Sequence, residues 1–192
     1  MDNVKNILLV GVGGQGTILA SKIFSEGMVA AGYDVKMSEI HGMSQRGGSV
    51  STQIRYGKSV HSPIIGDGEA DILVAFEISE AARYSAMIRP DGLLVINDYK
   101  IVPPEVQQGL DVYPQNTLKD LQAGAKVTLI QANEIATALG NPKAMNIVLL
   151  GALIKGMGLE STVDWNAIIT KLVKPQFVEL NQKALAAGLE AV

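Results

Sequence analysis

Short apolar runs alternate along the chain with stretches of helical spacing, an order that predicts an α/β domain. Residues 4–10 (VKNILLV) form an apolar run of strand character that ends at a glycine cluster. Residues 15–31 have helical spacing, with Ile18, Leu19, Ile23 and Phe24 grouped on one side and Gly32 as the stop. Residues 34–39 (DVKMSE) read as a second strand. Strand, glycine turn, helix and strand in such quick succession make a βαβ unit, so the first two strands are expected to be parallel.

The next segment breaks this pattern. Residues 40–49 (IHGMSQRGGS) are glycine-rich and without period, and they read as a loop. From there Val50, Thr52, Ile54 and Tyr56 alternate with Ser51, Gln53 and Arg55. Gly57-Lys58 then reads as a tight turn before Val60 resumes the run, a hairpin signal. Strands are predicted at 71–76 (DILVAF) and 92–96 (GLLVI), separated by a helix from Ser79 to Met87. A strand at 126–131 precedes a helix from Asn133 as N-cap to Gly140 as stop. Beyond Pro142 the pattern is helical over 143–157, 164–173 and 175–188, with Pro175 in a first turn. No repeat or linker interrupts the chain. The expectation is one Rossmann-like, three-layered domain over residues 1–192, with a mostly parallel sheet, an antiparallel hairpin excursion and a helical C-terminal section.

Composition narrows the function classes. Of the 192 residues 47% are hydrophobic and 18% charged, against about 25% charged in a typical domain. Such a chain buries a large core and is not disordered. Sixteen basic and nineteen acidic side chains give a net charge of −3, and no two basic residues are adjacent, so nucleic-acid binding is disfavoured. Cys is absent, which removes disulfides and thiolate ligation of an iron–sulfur cluster or zinc. The longest apolar stretch, around Ile147 to Ile154, is far shorter than the ~20 residues that span a bilayer. The first residues carry no basic leader pattern, and a cytoplasmic protein without membrane contact is expected.

Two stretches could carry chemistry. Gly11-Val12-Gly13-Gly14-Gln15-Gly16 satisfies G-x-G-x-x-G between a strand and a helix. The pattern gives a tight turn at Gly11, close ligand approach at Gly13, and helix–strand packing at Gly16, with backbone N–H groups favouring an anion. A turn that merely packs tightly has the same sequence. The dinucleotide version requires an acid ~20 residues on, for which Glu39 is the candidate, Asp34 lying too early in its strand. A P-loop is excluded because Thr17-Ile18 replace the Lys-Ser/Thr pair. The second stretch runs from Glu39 to Ser49, where Arg46 offers a planar fork for phosphate or carboxylate and Gly47-Gly48 permit close approach. An incidental surface loop is the other reading.

The remaining polar residues add little. His41 and His61 are the only histidines and make a poor metal signal. Asp67, Glu69 and Asp71 alternate without calcium-loop spacing and read as solvated turn carboxylates. Glu77, at a strand end near the presumed cleft, either orients a loop or the Arg46 side chain, or caps a helix. No G-x-S-x-G elbow or Tyr-x₃-Lys pair occurs.

Three ordered segments, GVGGQG, SEIHGMSQRGGSVSTQIRYG and SPIIGDGEADILVAFEISEAAR, resemble the small, gamma-type subunits of 2-oxoacid:ferredoxin oxidoreductases. The helical end around KPQFVELNQKALAAG extends the resemblance over almost the whole chain, and the HGMSQRGG loop resembles the indolepyruvate type. The resemblance implies coenzyme A-dependent oxidative decarboxylation of a 2-oxoacid to an acyl-CoA, CO₂ and reduced ferredoxin. Thiamine diphosphate and [4Fe–4S] clusters are then expected on a large partner subunit, with ferredoxin reached through the complex. By match, Gly11, Gly13, Gly14, Gln15 and Gly16, with Ser44, Gln45, Arg46, Gly47 and Gly48, line the functional edge that meets coenzyme A phosphates or the large subunit. The isolated chain is expected to be inactive and prone to self-association. The competing readings are a stand-alone NAD(P)-binding Rossmann protein and a nucleotide-sensing module.

Overall fold

The computed structural model of the chain describes residues 4–41, 47–113 and 117–192. Ser44, Gln45 and Arg46 therefore lie outside the described residues.

The chain begins with β1 (Lys5–Val12), α1 (Thr17–Ala30), β2 (Asp34–His41) and β3 (Ser49–Gly57). It continues with β4 (Ala70–Ala75), α2 (Ile78–Tyr84) and β5 (Ile88–Asn97). Two short helices, α3 (Pro104–Gln107) and α4 (Thr117–Gly124), lead to β6 (Lys126–Ile130). The rest is α5 (Ala132–Ala138), α6 (Met145–Gly156), α7 (Trp165–Leu172) and α8 (Val178–Glu190), with 3₁₀ turns at Pro142–Ala144 and Pro175–Phe177.

The six strands form one sheet in the order β2-β3-β1-β4-β5-β6. β1, β4, β5 and β6 pair parallel, whereas β3 is antiparallel to both β1 and β2. The expected βαβ unit is thus corrected. β1 and β2 point the same way, but β3 is inserted between them and they share no hydrogen bonds. The hairpin also moves, to β2 and β3, joined across the glycine-rich loop. Gly57-Lys58 turns no strand back; the chain instead loops under the start of β2, where Val60 N–H donates to Asp34 Oδ2 at 2.8 Å.

Alternation along the strands builds two cores. Ile7 and Leu9 of β1, with Ile72 and Val74 of β4, face α1 and α6. Leu8 and Val10, with Leu94 and Ile96 of β5, face α2 and Leu121 of α4. α6 is apolar all round because it lies between the sheet and α8, whose backbone approaches closely. A Cβ on Gly188 would stand 2.0 Å from the Val148 carbonyl. α1 stops at Gly32 as expected, through Gly32 N–H to Val29 O and Tyr33 N–H to Met28 O.

Other details differ from the sequence expectation. Ile18 is 37% exposed, because α1 lies on the sheet through Ala20, Ile23, Phe24 and Met28. The N-cap of α5 is Gln131, and Asn133 in the first turn turns to a polar partner instead. Asp71 is buried in β4, held by Asn6 N–H (2.8 Å) and Arg89 (2.8 Å); Asp67 and Glu69 are exposed turn carboxylates. Among the described residues no helix is long and apolar enough to cross a membrane.

Candidate functional site

The connectivity reverses direction at β1, since β2 and β3 lie to one side and β4, β5 and β6 to the other. Ligands of open α/β sheets sit outside the carboxyl ends of the strands at such a point. The glycine turn is placed there.

Its residues are engaged in building the turn. Gln15 Oε1 accepts from Val12 N–H (2.7 Å), and Gln15 Nε2 donates to Phe76 O (3.0 Å), which ties the turn to the end of β4. Gly11 leaves room for this, as a Cβ would lie 2.8 Å from Gln15 Oε1 and 2.9 Å from Phe76 Cβ. Gly16 has φ +83°, and a Cβ there would lie 2.5 Å from Asn146 Nδ2, the group that donates to Gly16 O at 3.1 Å. Gly13 N–H donates to Gly48 O at 2.8 Å and Gly13 O accepts from Gly47 N–H at 3.4 Å. The structure therefore brings the two glycine motifs together, and they hold each other through the backbone at Gly13.

Glu39 does not lie where a dinucleotide fold needs its acid. It pairs across from Thr52, which pairs across from Leu9. The carboxylate is thus level with the middle of β1 and two strands away, about 10 Å in the sheet plane. The inserted β3 removes the ribose contact that a stand-alone NAD(P) protein would use.

Glu77 both caps a helix and orients a loop; its expected contact with Arg46 lies outside the described residues. Its Oε2 caps α2, accepting from Ser79 N–H (2.6 Å), Glu80 N–H (3.1 Å) and the Ser79 hydroxyl. Its Oε1 accepts from Ile101 N–H (3.1 Å) and the Tyr113 hydroxyl (2.6 Å), pinning both ends of the segment between them. The side chain is fully buried. Burial, then the hydrogen bond and charge of Glu77, push the Tyr113 hydroxyl well above its ordinary range.

Beside the turn opens a cleft of about 710 Å³, walled by Gly14–Gly16, the segment after β5, the start of α6 and the junction of α7 with α8. Gly11, Gly13, Gly47 and Gly48 are not on its wall. Behind the wall residue Asn133, the fully buried Asn97 donates to Phe76 O (3.1 Å) and to Asn133 Oδ1 (2.8 Å), so that Phe76 O accepts from both Asn97 and Gln15. Sequence reading missed Asn133, Lys143, Asn146, Lys174 and Asn181 on this wall. They stand on elements far from the glycine motifs in sequence, and no local pattern marks them.

The chain matches the family model described as pyruvate ferredoxin/flavodoxin oxidoreductase over residues 6–191. The chain belongs to this family. Within it, the chain is 35% identical to indolepyruvate oxidoreductase subunit IorB of Thermococcus kodakarensis, covering 97% of this chain and 95% of the relative. It is 39% identical to the IorB of Methanothermobacter thermautotrophicus over 97% and 96%, and 26% identical to 2-oxoglutarate synthase subunit KorC of Archaeoglobus fulgidus over 96% and 86%. The crystal structure of a keto/oxoacid ferredoxin oxidoreductase gamma subunit from Geobacter sulfurreducens superposes with a TM-score of 0.71 at 28% identity, covering 97% of both chains. A 2-oxoglutarate:ferredoxin oxidoreductase from Magnetococcus marinus shares the fold at 18% identity and a TM-score of 0.75; this chain is covered entirely but spans 31% of that longer chain.

This is a small subunit of a 2-oxoacid:ferredoxin oxidoreductase. Without Cys it offers no thiolates to a cluster. Among the described residues no group of three His, Asp or Glu side chains is placed to hold a metal ion.

Proposed function

We propose that the chain is the non-catalytic small subunit of an oxidoreductase of the indolepyruvate type, acting on aryl-2-oxoacids in the cytoplasm. A larger partner subunit holds thiamine diphosphate and the [4Fe–4S] clusters, removes CO₂ from the 2-oxoacid, passes the acyl group to coenzyme A and sends the electrons to ferredoxin. The observation that carries this reading is the end-to-end similarity to chains named as single subunits. The edge from Gly11 to Gly16, with Ser44, Gln45, Arg46, Gly47 and Gly48, meets the partner subunit or the coenzyme A phosphates it delivers. The low charge fraction and the exposed apolar side chains Leu110 and Val112 fit a chain that is covered in its complex and self-associates without it.

The test is reconstitution. The chain is expected to restore aryl-2-oxoacid- and coenzyme A-dependent dye reduction to a large subunit that is inactive alone. Arg46→Ala should lower kcat/KM of the assembled enzyme about tenfold or more while leaving the melting of the isolated chain unchanged. Kinetics equal to the parent's would remove Arg46 from the working edge.

A further inference from the structure

We propose that Glu80 is a positioning residue, which acts through Ser49 to hold the Gly47-Gly48 backbone at the working edge. The role rests on the subunit reading above, which gives that edge to the partner subunit or to coenzyme A. Gly47 and Gly48 have no side chains by which to pack, and Gly47 is exposed with φ +82°. They are tied to Gly13 by two backbone hydrogen bonds, of 2.8 and 3.4 Å. Further hold comes from Ser49, which opens β3 and stands opposite Val12 of β1.

α2 supplies that hold. Ile78 and Ala81 pack its apolar side into the core, while Glu80 and Tyr84, at i and i+4, meet Ser49. Ser49 Oγ donates to Glu80 Oε2 at 2.5 Å, and the Tyr84 hydroxyl lies 3.5 Å from the same Oγ. Glu80 Oε1 accepts from Arg83 Nε at 3.1 Å. Glu80 is only 4% exposed. Burying a carboxylate is costly, and apolar side chains would join a helix to a strand as firmly. What the carboxylate adds is direction: a charge-assisted hydrogen bond fixes the Ser49 hydroxyl, and with it the backbone arriving from Gly48. Glu77, three residues earlier, ties Ile101 and Tyr113 in the same way. One helix start thus holds two separate segments of the sheet edge.

Amide exchange followed by NMR on the full chain, together with kinetics of the reconstituted enzyme, tests the role. In Ser49→Ala and in Glu80→Gln the Gly13 and Gly47 amides should exchange about tenfold faster, with those of Leu73 and Val95 in the core unchanged. Titrated with coenzyme A and with the large subunit, both variants should need about tenfold more of one of them for half-maximal rate. KM for the aryl-2-oxoacid should stay the same. The Ser49→Ala/Glu80→Gln double variant should lose no more than Glu80→Gln alone, and Ser49→Thr, which keeps the hydroxyl, should match the parent. Unchanged exchange at Gly13 and Gly47, faster exchange of all amides alike, unchanged half-saturation, additive losses, or a Thr variant that behaves like Ala would overturn it. Ser49→Ala leaves the buried carboxylate in place, so the question stays decidable if Glu80→Gln fails to fold. A parent chain that reconstitutes no activity would remove the subunit reading, and the exchange rates would still decide whether Glu80 holds the glycine pair.

Discussion

Gly14 and Gly16 belong to one motif, yet the structure asks different things of them. Both have positive φ, but a Cβ on Gly14 meets nothing within 4 Å, whereas one on Gly16 strikes Asn146. Gly14→Ala should therefore cost only backbone strain, about 1–2 kcal/mol, and Gly16→Ala clearly more, about 2–4 kcal/mol, as read by urea unfolding. Equal costs would place Asn146 elsewhere. Glu77 is the other residue to probe. Glu77→Gln turns a fully buried acceptor of five donors into a group that must itself donate. A loss of about 2–4 kcal/mol is expected, against about 1 kcal/mol for Tyr113→Phe, which removes one donor and leaves the rest. The glycine fingerprint was legible in the sequence because its local pattern and its position after an apolar run agree. The use of Gln15 as a brace between β1 and β4 was not, since its partner Phe76 is 61 residues away.

At the scale of elements, burial pattern separates what could be read from what could not. β1 and β4 are continuous apolar runs flanked by turn residues, and both were legible. The insertion of β3 was not. Its alternation reads as a strand with one polar face, but Ser51 and Gln53 are buried with their apolar neighbours. Gln53 is satisfied by Ile65 N–H at 2.7 Å, a contact no local pattern announces. α3 and α4 were missed because α4 buries only Thr117 and Leu121, too little for a periodic signal. The α6–α8 contact yields a prediction of its own. Gly188→Ala would drive a methyl into the Val148 carbonyl, so the helices must part at a cost above about 2 kcal/mol, measured by thermal or urea unfolding. Titration gives another. Burial pushes the Tyr56 hydroxyl up from 10.0 to about 12. Above pH 10 the unfolded chain loses this proton before the folded one does, so stability falls as pH rises towards 12. Tyr56→Phe should flatten that alkaline decline, and an unchanged decline would contradict the burial of the hydroxyl.

The whole molecule is a mostly parallel three-layered scaffold. The absence of Cys and the ordered motifs made a supporting subunit legible before the fold was known. What stayed hidden was the cleft, because its wall is assembled from the turn after β1 and from residues 130 positions away, such as Asn146 on Gly16. Only the folded chain places the starts of α1, α6 and α8 together. The most direct measurement is purification of the tagged chain from its native host, with identification of co-eluting chains and a visible spectrum. A brown complex with a larger, Cys-rich subunit that reduces a dye with an aryl-2-oxoacid and coenzyme A is the predicted result. A colourless chain that elutes alone and restores no such activity when mixed with the large subunit would contradict it.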